Sequence, residues 1–263
     1  MRGTVHRNSS HRESLVWKAN RFYLRYGSEV ENLSRLVEVN LAQLCLAYAL
    51  NNQLPREALE VVTRVKPLTS FLDKLERLGW PDFYYPTDVV RDLIGARVVC
   101  WFIDDCAGIQ RMIEQSHGFR VRRDETEDFI VHPKASGYRS IHLMADFTYD
   151  SVSGGDGHGE LTPRTMVCEI QIRTRLQDAF GELTHDFPYK LPNLETGAEY
   201  QEMVARMAES LAEQDRAASQ IRELVRRVYQ DEAREGFSTA DRPEPGMSPR
   251  VRGDASPKLR QSR

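Results

Sequence analysis

The sharpest pattern in this chain lies between Thr165 and Thr174. Met166, Cys168, Ile170 and Ile172 alternate with Val167, Glu169, Gln171 and Arg173, the two-residue period of a strand with one buried face. The stretch SGYRSIHLMADF, 136–147, alternates in the same way. Ile141, Leu143, Ala145 and Phe147 take one side; Tyr138, Ser140 and His142 take the other, followed by Met144 and Asp146. A half-buried strand ordinarily shows mixed Lys, Glu and Thr to water. An aromatic ring, a hydroxyl and an imidazole in a row therefore need a chemical explanation. DLIGARVVCWFI, 92–103, is too apolar and β-branched for a surface helix and predicts a buried central strand.

Helical periods dominate the two ends. After a frayed start over 1–13, Leu33, Leu36, Val37, Leu41, Leu44 and Tyr48 recur at three- and four-residue steps, which predicts a helical region over 14–62. Pro67 breaks the chain before a short helix, with Thr69 or Ser70 as its N-cap and Gly79 as its stop. Asp104 or Asp105 caps the next helix, which runs to about Gln115; FRVRR and DFIVH read as short strands. Residues 151–164 form a Gly-rich hairpin-like loop, and 175–187 a helix. Over 195–235, Tyr200, Met203, Met207, Leu211, Ile221, Val225 and Val228 mark one long amphipathic helix packing on the core; the same stripe suits a homo-oligomer or a protein partner. The tail, 236–263, carries Pro243, Pro245, Pro249 and Pro257 and predicts disorder. The order of elements gives an α/β (α+β) fold, a mixed β-sheet flanked by helices.

Composition narrows the function classes. With 263 residues, 40% hydrophobic and 29% charged, the chain can build a real core. A net charge of −3 rules out a polycation, so any nucleic-acid affinity has to come from a local basic patch. Cys45, Cys100, Cys106 and Cys168 are widely spaced without a CxxC pair, which reads as reduced cysteines of a cytoplasmic protein. The polar start MRGTVHRNSSHRES is no signal peptide, and no apolar run reaches the roughly 20 residues of a membrane span.

The candidate chemistry sits on the polar faces. Glu169, Gln171 and Arg173 project in parallel from one strand; a solvated face with a cross-strand ion pair is the plain alternative. Asp92 stands just before the buried strand and Arg97 within it, where an unpaired charge is costly. Arg64 and Lys66 precede the short helix, and Lys74 lies one turn beyond Ser70. Carboxylates hold Mg²⁺ together with substrate phosphates, while Arg and Lys neutralise the remaining oxygens. The set suits phosphoryl or nucleotidyl transfer.

Together RVKPLTSFLDKL, RDLIGARVV, SGYRSIHL, EIQIRT and HDFPYK, in this order over about 61–190, resemble the synthetase domain of the RelA/SpoT family. The resemblance implies a nucleotidyltransferase-like fold and a GTP pyrophosphokinase-type reaction, in which the β,γ-diphosphate of ATP moves to a ribose 3′-hydroxyl and AMP is released. It implies that Asp92 and Glu169 bind Mg²⁺, with Glu169 also the base for the 3′-hydroxyl. Arg64, Lys66, Ser70, Lys74 and Arg97 match positions that grip ATP. Tyr138 matches the tyrosine that stacks on the acceptor's guanine, with Lys134, His142, Gln171 and Arg173 around it. His185 matches the histidine of the helix end H-x-x-x-Y-K, so His185-Asp186 is not read as the metal pair of the long members' hydrolase domain.

One helix departs from the housekeeping pattern. AFGELTHDFPYK has Phe180 and Thr184 where Trp and Glu are usual, a form closer to the toxic small synthetases of toxin–antitoxin pairs. That leaves two acceptors open: a free nucleotide (GDP, GTP or an adenine nucleotide), placed first, and the 3′-CCA end of tRNA, with an antitoxin as partner. Arg120, Arg122 and Arg123, or Arg222, Arg226 and Arg227, are the patches for tRNA. A catalytically inactive nucleotide-binding module is the reading from another class, and the pairing of Asp92 with Glu169 speaks against it.

Overall fold

The structure is a computed structural model. It describes the backbone of residues 2–153, 160–190 and 197–240, and the side chains of 10–151, 161–184, 197–228 and 230. The elements are α1 (Arg2–Asn51), β1 (Leu59–Val65), α2 (Leu68–Arg77), β2 (Ile94–Cys100), α3 (Ile103–Gln115), β3 (Phe119–Val121), β4 (Glu127–Asp128), β5 (Ile141–Ser153), β6 (Glu160–Thr174), α4 (Arg175–Lys190) and α5 (Ala198–Ala240). The strands form one mixed sheet in the order β1-β2-β6-β5-β3, with β4 beside β5. β2 and β6 run parallel; the other pairs are antiparallel. The mixed sheet flanked by helices that the sequence predicts is the fold the chain adopts.

One face of the sheet is the core. Ile94, Ala96, Val98 and Cys100 of β2, Cys168, Ile170 and Ile172 of β6, and Ile141, Leu143, Ala145 and Phe147 of β5 are buried with Leu33, Val37, Leu41 and Cys45 of α1 and Cys106, Ile109 and Ile113 of α3. Each fully buried Leu, Ile or Phe contributes about 1.5–3 kcal/mol relative to exposure. All four cysteines are free and buried, and burial pushes the Cys45 and Cys168 thiols up to about 12. By length and composition α1 meets the requirement for a membrane span, contrary to the expectation from the sequence, but its apolar side packs on the sheet.

Several local expectations are corrected. The helical region ends at Asn51, not residue 62: LEVVTRV is the edge strand β1, its β-branched residues suiting a pleated surface once Pro55 has broken the helix. The start over 1–13 is helical from Arg2, and Arg12 shows why it need not fray. Its guanidinium pairs with Glu76 at 3.1 Å and lies 4.6 Å from the centroid of the Trp80 ring, while His11 Nε2 is 3.2 Å from the Trp80 carbonyl oxygen. The N-cap of α2 is Pro67, which leaves Thr69 and Ser70 inside the helix; Gly79, at φ +76°, does end it. DFIVH closes as a turn because Asp128 Oδ1 accepts from the amides of Ile130 and Val131 at 2.9 and 3.0 Å. Asp104 and Asp105 lie in the first turn of α3, after the cap Phe102. The hairpin strands extend to Ser153 and Glu160, and residues 154–159 lie outside the described residues.

The chain divides after Gln220. Within the first unit, α5 buries Ala208, Ala212 and Asp215, whereas Met203, predicted on the apolar stripe, is 57% exposed. Small residues form the packed side of this helix. In the second unit the backbone stays helical to Ala240, past the predicted boundary at 236 and up to the first proline-rich residues, and Arg227 pairs with Glu223 at 3.1 Å. Residues 241–263 and 191–196 lie outside the described residues.

Candidate active site

The face of the sheet opposite the α1 side is where the charges lie. Register sets them in rows: Arg64, Gly95, Glu169 and Met144 oppose one another, then Val62, Arg97, Gln171 and His142, then Glu60, Val99 and Arg173. Gly95 leaves the space beside Glu169 open. Arg64 leans over it, with Cγ and Nε 3.8 Å from where a Cβ would stand.

Asp92, two residues before β2, is clasped by two ammonium groups. Lys66 Nζ donates to Oδ2 at 2.7 Å and Lys74 Nζ to Oδ1 at 3.1 Å. Ser70 lies one helical turn before Lys74 on α2, on the same side, and is half-buried. Burial pushes the Asp92 carboxyl up, but the hydrogen bonds and charges of Lys66 and Lys74 together outweigh it and hold it below its ordinary value. Tyr23 of α1 supports the clasp by donating to the Lys66 carbonyl at 2.8 Å; burial, followed by the negative charge of Asp92, pushes its phenol up to about 12. The sequence reading missed Tyr23, because nothing in a helical period says which strand end a phenol will reach.

Glu169 Oε1 is 2.8 Å from His142 Nδ1, and His142 Nε2 is 2.9 Å from the Tyr138 hydroxyl. A carboxylate only accepts, so Nδ1 carries the proton that is donated to Glu169. Burial raises the Glu169 carboxyl and His142 lowers it by hydrogen bond and charge. Asp92 pushes it up again and Gln171 pulls it down, leaving it below its ordinary value. Glu169 opposes Gly95, three residues after Asp92, so register brings the two carboxylates to the same part of the sheet.

Tyr138 precedes β5, in a turn where Lys134 N–H donates to the Tyr138 carbonyl at 3.3 Å. Its ring meets His142 edge-on at 5.7 Å, and Phe129 meets both, at 6.2 Å from Tyr138 and 5.2 Å from His142. Lys134 Nζ lies 4.3 Å from the Phe129 ring and 5.4 Å from the Tyr138 ring. Phe129 was also missed, since DFIVH reads as a strand. Ser140, placed on the wet side by alternation, is fully buried and donates to the Ile172 carbonyl at 3.1 Å.

The structure thus gathers Asp92, Lys66 and Lys74 into one cluster, and Glu169, His142, Tyr138 and Lys134 into another, with Gln171 two residues from Glu169 on the same face of β6 and Arg64 leaning over the neighbouring Gly95. Arg173 is not among them. Its side chain is 4% exposed and pairs with Asp178 of α4 at 2.7 Å, and Arg97 reaches the same carboxylate oxygen at 2.9 Å. Phe180 is buried, and Thr184 donates back to the Phe180 carbonyl at 2.8 Å. The FRVRR patch is less basic than it reads, because Asp146 takes both Arg120 and Arg122, at 2.7 and 2.6 Å. The side chains of His185 and Asp186 lie outside those described.

Comparison with known proteins decides what such a face belongs to. Residues 63–193 match the region found in RelA/SpoT proteins. The GTP pyrophosphokinase YjbM of Bacillus subtilis is 31% identical over 171 residues, 65% of this chain and 72% of that protein. The chain belongs to the RelA/SpoT family. Its fold agrees with solved members: small alarmone synthetase 1 of Bacillus subtilis, in a crystal structure bound to its product pppGpp, superposes with a TM-score of 0.62 at 28% identity, covering 78% of this chain and 97% of that one. A GTP pyrophosphokinase family protein from Streptococcus pneumoniae gives 0.63 at 26% identity, covering 80% and 95%.

Proposed function

We propose that this chain transfers the β,γ-diphosphate of ATP to the ribose 3′-hydroxyl of GDP or GTP, releasing AMP and forming a (p)ppGpp-type alarmone. The observation that carries the reading is the set that register and hydrogen bonds bring together: Asp92 clasped by Lys66 and Lys74, and, opposite Gly95 three residues on, Glu169 joined through His142 to the Tyr138 ring. A relative crystallised with pppGpp supports a guanine acceptor.

In this reading Arg64, Lys66, Ser70, Lys74 and Arg97 hold ATP, and Tyr138 stacks on the acceptor base beside Lys134 and Gln171. Asp92 and Glu169 would hold Mg²⁺. Among the described residues no cluster of three or more His, Cys, Asp or Glu could hold a metal ion unaided. A two-carboxylate set fits Mg²⁺, which keeps waters and shares substrate phosphates. When bound, the ion neutralises charge on the transferred group. Glu169, ionised at neutral pH, takes the proton of the 3′-hydroxyl as that oxygen bonds to the β-phosphorus. The bond from the β-phosphorus to the α,β-bridging oxygen breaks, and the oxygen leaves with AMP. His142 fixes the carboxylate for that task, and the lysines offset developing negative charge.

The test supplies γ-labelled ATP and Mg²⁺ with GDP, GTP, ATP or deacylated tRNA in separate reactions. Label in a guanine nucleotide is expected. Label only in tRNA or an adenine nucleotide, or none anywhere, would overturn the reading.

A further inference from the structure

Arg97 and Arg173 stand on different strands, yet both reach Oδ1 of Asp178, at 2.9 and 2.7 Å. Their surroundings differ sharply. Arg173 is sealed under α4: a Cβ on Gly181 would stand 2.6 Å from its Nη1, so the helix backbone closes directly over the guanidinium. A buried cation needs a counter-charge, and Asp178 is the carboxylate it has. Arg97 is 27% exposed; its Nη1 forms an ion pair with Asp178 Oδ1 at 2.9 Å and donates a hydrogen bond to Glu182 Oε1 at 3.2 Å. Glu182, one turn further along α4, is 3.2 Å from the same Nη1, but its side chain is 66% exposed. Arg173 is the buried end of the arrangement and Glu182 the exposed one.

We infer that Asp178 is a positioning residue: anchored by the buried Arg173, it fixes the Arg97 guanidinium in the orientation that ATP meets. The inference rests on the reading of Arg97 as an ATP ligand. An arginine left to itself samples many rotamers and must be ordered at the moment of binding. One held by a charged, bidentate-capable partner has already been ordered. The arrangement also gives Arg173, which the family resemblance sets beside the acceptor, a different task on the ATP side.

The experiment measures binding of α,β-methylene-ATP by calorimetry, and KM and kcat for ATP, in Asp178→Asn, Arg97→Ala and the double variant. Asparagine keeps the shape and one acceptor oxygen but loses the charge. Expected for Asp178→Asn is a loss of about tenfold in analogue affinity and a matching rise in KM, with kcat within about threefold. In the Arg97→Ala background the same substitution should change affinity by less than about twofold, since the two act as one unit. Equal losses in both backgrounds, or none in either, would overturn the inference. If Asp178→Asn fails to fold, Asp178→Glu carries the test: it keeps the charge, displaces it by one methylene, and should give a smaller loss that again disappears without Arg97. Wild-type protein that does not bind the analogue would overturn the pyrophosphokinase reading itself. Wild-type binding that Asp178→Asn and Asp178→Glu both leave unchanged overturns this inference alone.

Discussion

Asp92 and Glu169 are both buried enough to resist ionisation and both held ionised by cationic or hydrogen-bonding neighbours. Replacing either by its amide keeps the shape and removes the charge. Glu169→Gln and Asp92→Asn should each lower kcat by about 10²–10⁴; because each carboxyl is held ionised by its neighbours, the thermal midpoint should also fall, but the protein should still melt in one cooperative transition, and a steady-state assay beside a melting curve decides it. Asp146 carries a second prediction. Its carboxyl is pulled down by the Arg122 hydrogen bond, pushed up by burial and pulled down again by Arg120, ending below its ordinary 3.8. A depressed carboxyl adds stability above its unfolded pKa and loses it as pH falls through the folded value. The melting gap between wild type and Asp146→Asn should therefore be constant from about pH 7 to 5 and narrow below about pH 4. A gap that widens on acidification would contradict the pairing. Residue types on strand faces could be read in advance because a two-residue period fixes which neighbours share a side. Tyr23, Phe129 and Asp178 could not, because each arrives from an element whose placement depends on packing between elements.

At the scale of elements, the turn that presents Tyr138 is pinned by α5. Gly137 has φ +80°, and a Cβ there would stand 2.3 Å from Ala208 Cβ. Arg139 donates to the Gly137 and Ala208 carbonyls and pairs with Glu209 at 2.8 Å. Gly137→Ala should therefore destabilise by about 2–4 kcal/mol, from a left-handed backbone and a clash together. Adding Ala208→Gly should recover part of that, as read by urea unfolding of all three variants. No such closeness shows in the sequence, where the Met, Ile and Val of α5 look like the packed stripe and the alanines like filler. β1 was hidden because its Val-rich run continues the apolar spacing of the preceding helix past Pro55, and its place in the fold is set by pairing with β2. β2, β5 and β6 were legible because each combines a strict pattern with enough length.

For the molecule as a whole, the unit ending at Gln220 contains the Asp92 and Glu169 clusters and the α5 contacts at Ala208, Glu209 and Asp215, whereas the candidate patch Arg222, Arg226 and Arg227 lies beyond it. Among the α5 contacts, Asp215 accepts from Thr174 at 2.8 Å and from Gln177 at 3.0 Å. A chain ending at Gln220 should keep its thermal midpoint within about 3 °C of the full chain, measured by calorimetry. The strand order has a further consequence, for synthesis. β6 comes last in the chain but lies in the middle of the sheet, between β2 and β5. Residues 160–174 supply the strand that both β2 and β5 pair with, so neither has that partner until they have been made. Joining β2 to β6 brings together segments more than seventy residues apart, the slow kind of pairing. In the proposed reading, a chain that stops short of Glu169 lacks one of the two carboxylates, and the α5 contacts at Ala208 and Glu209 that hold the Tyr138 turn come later still.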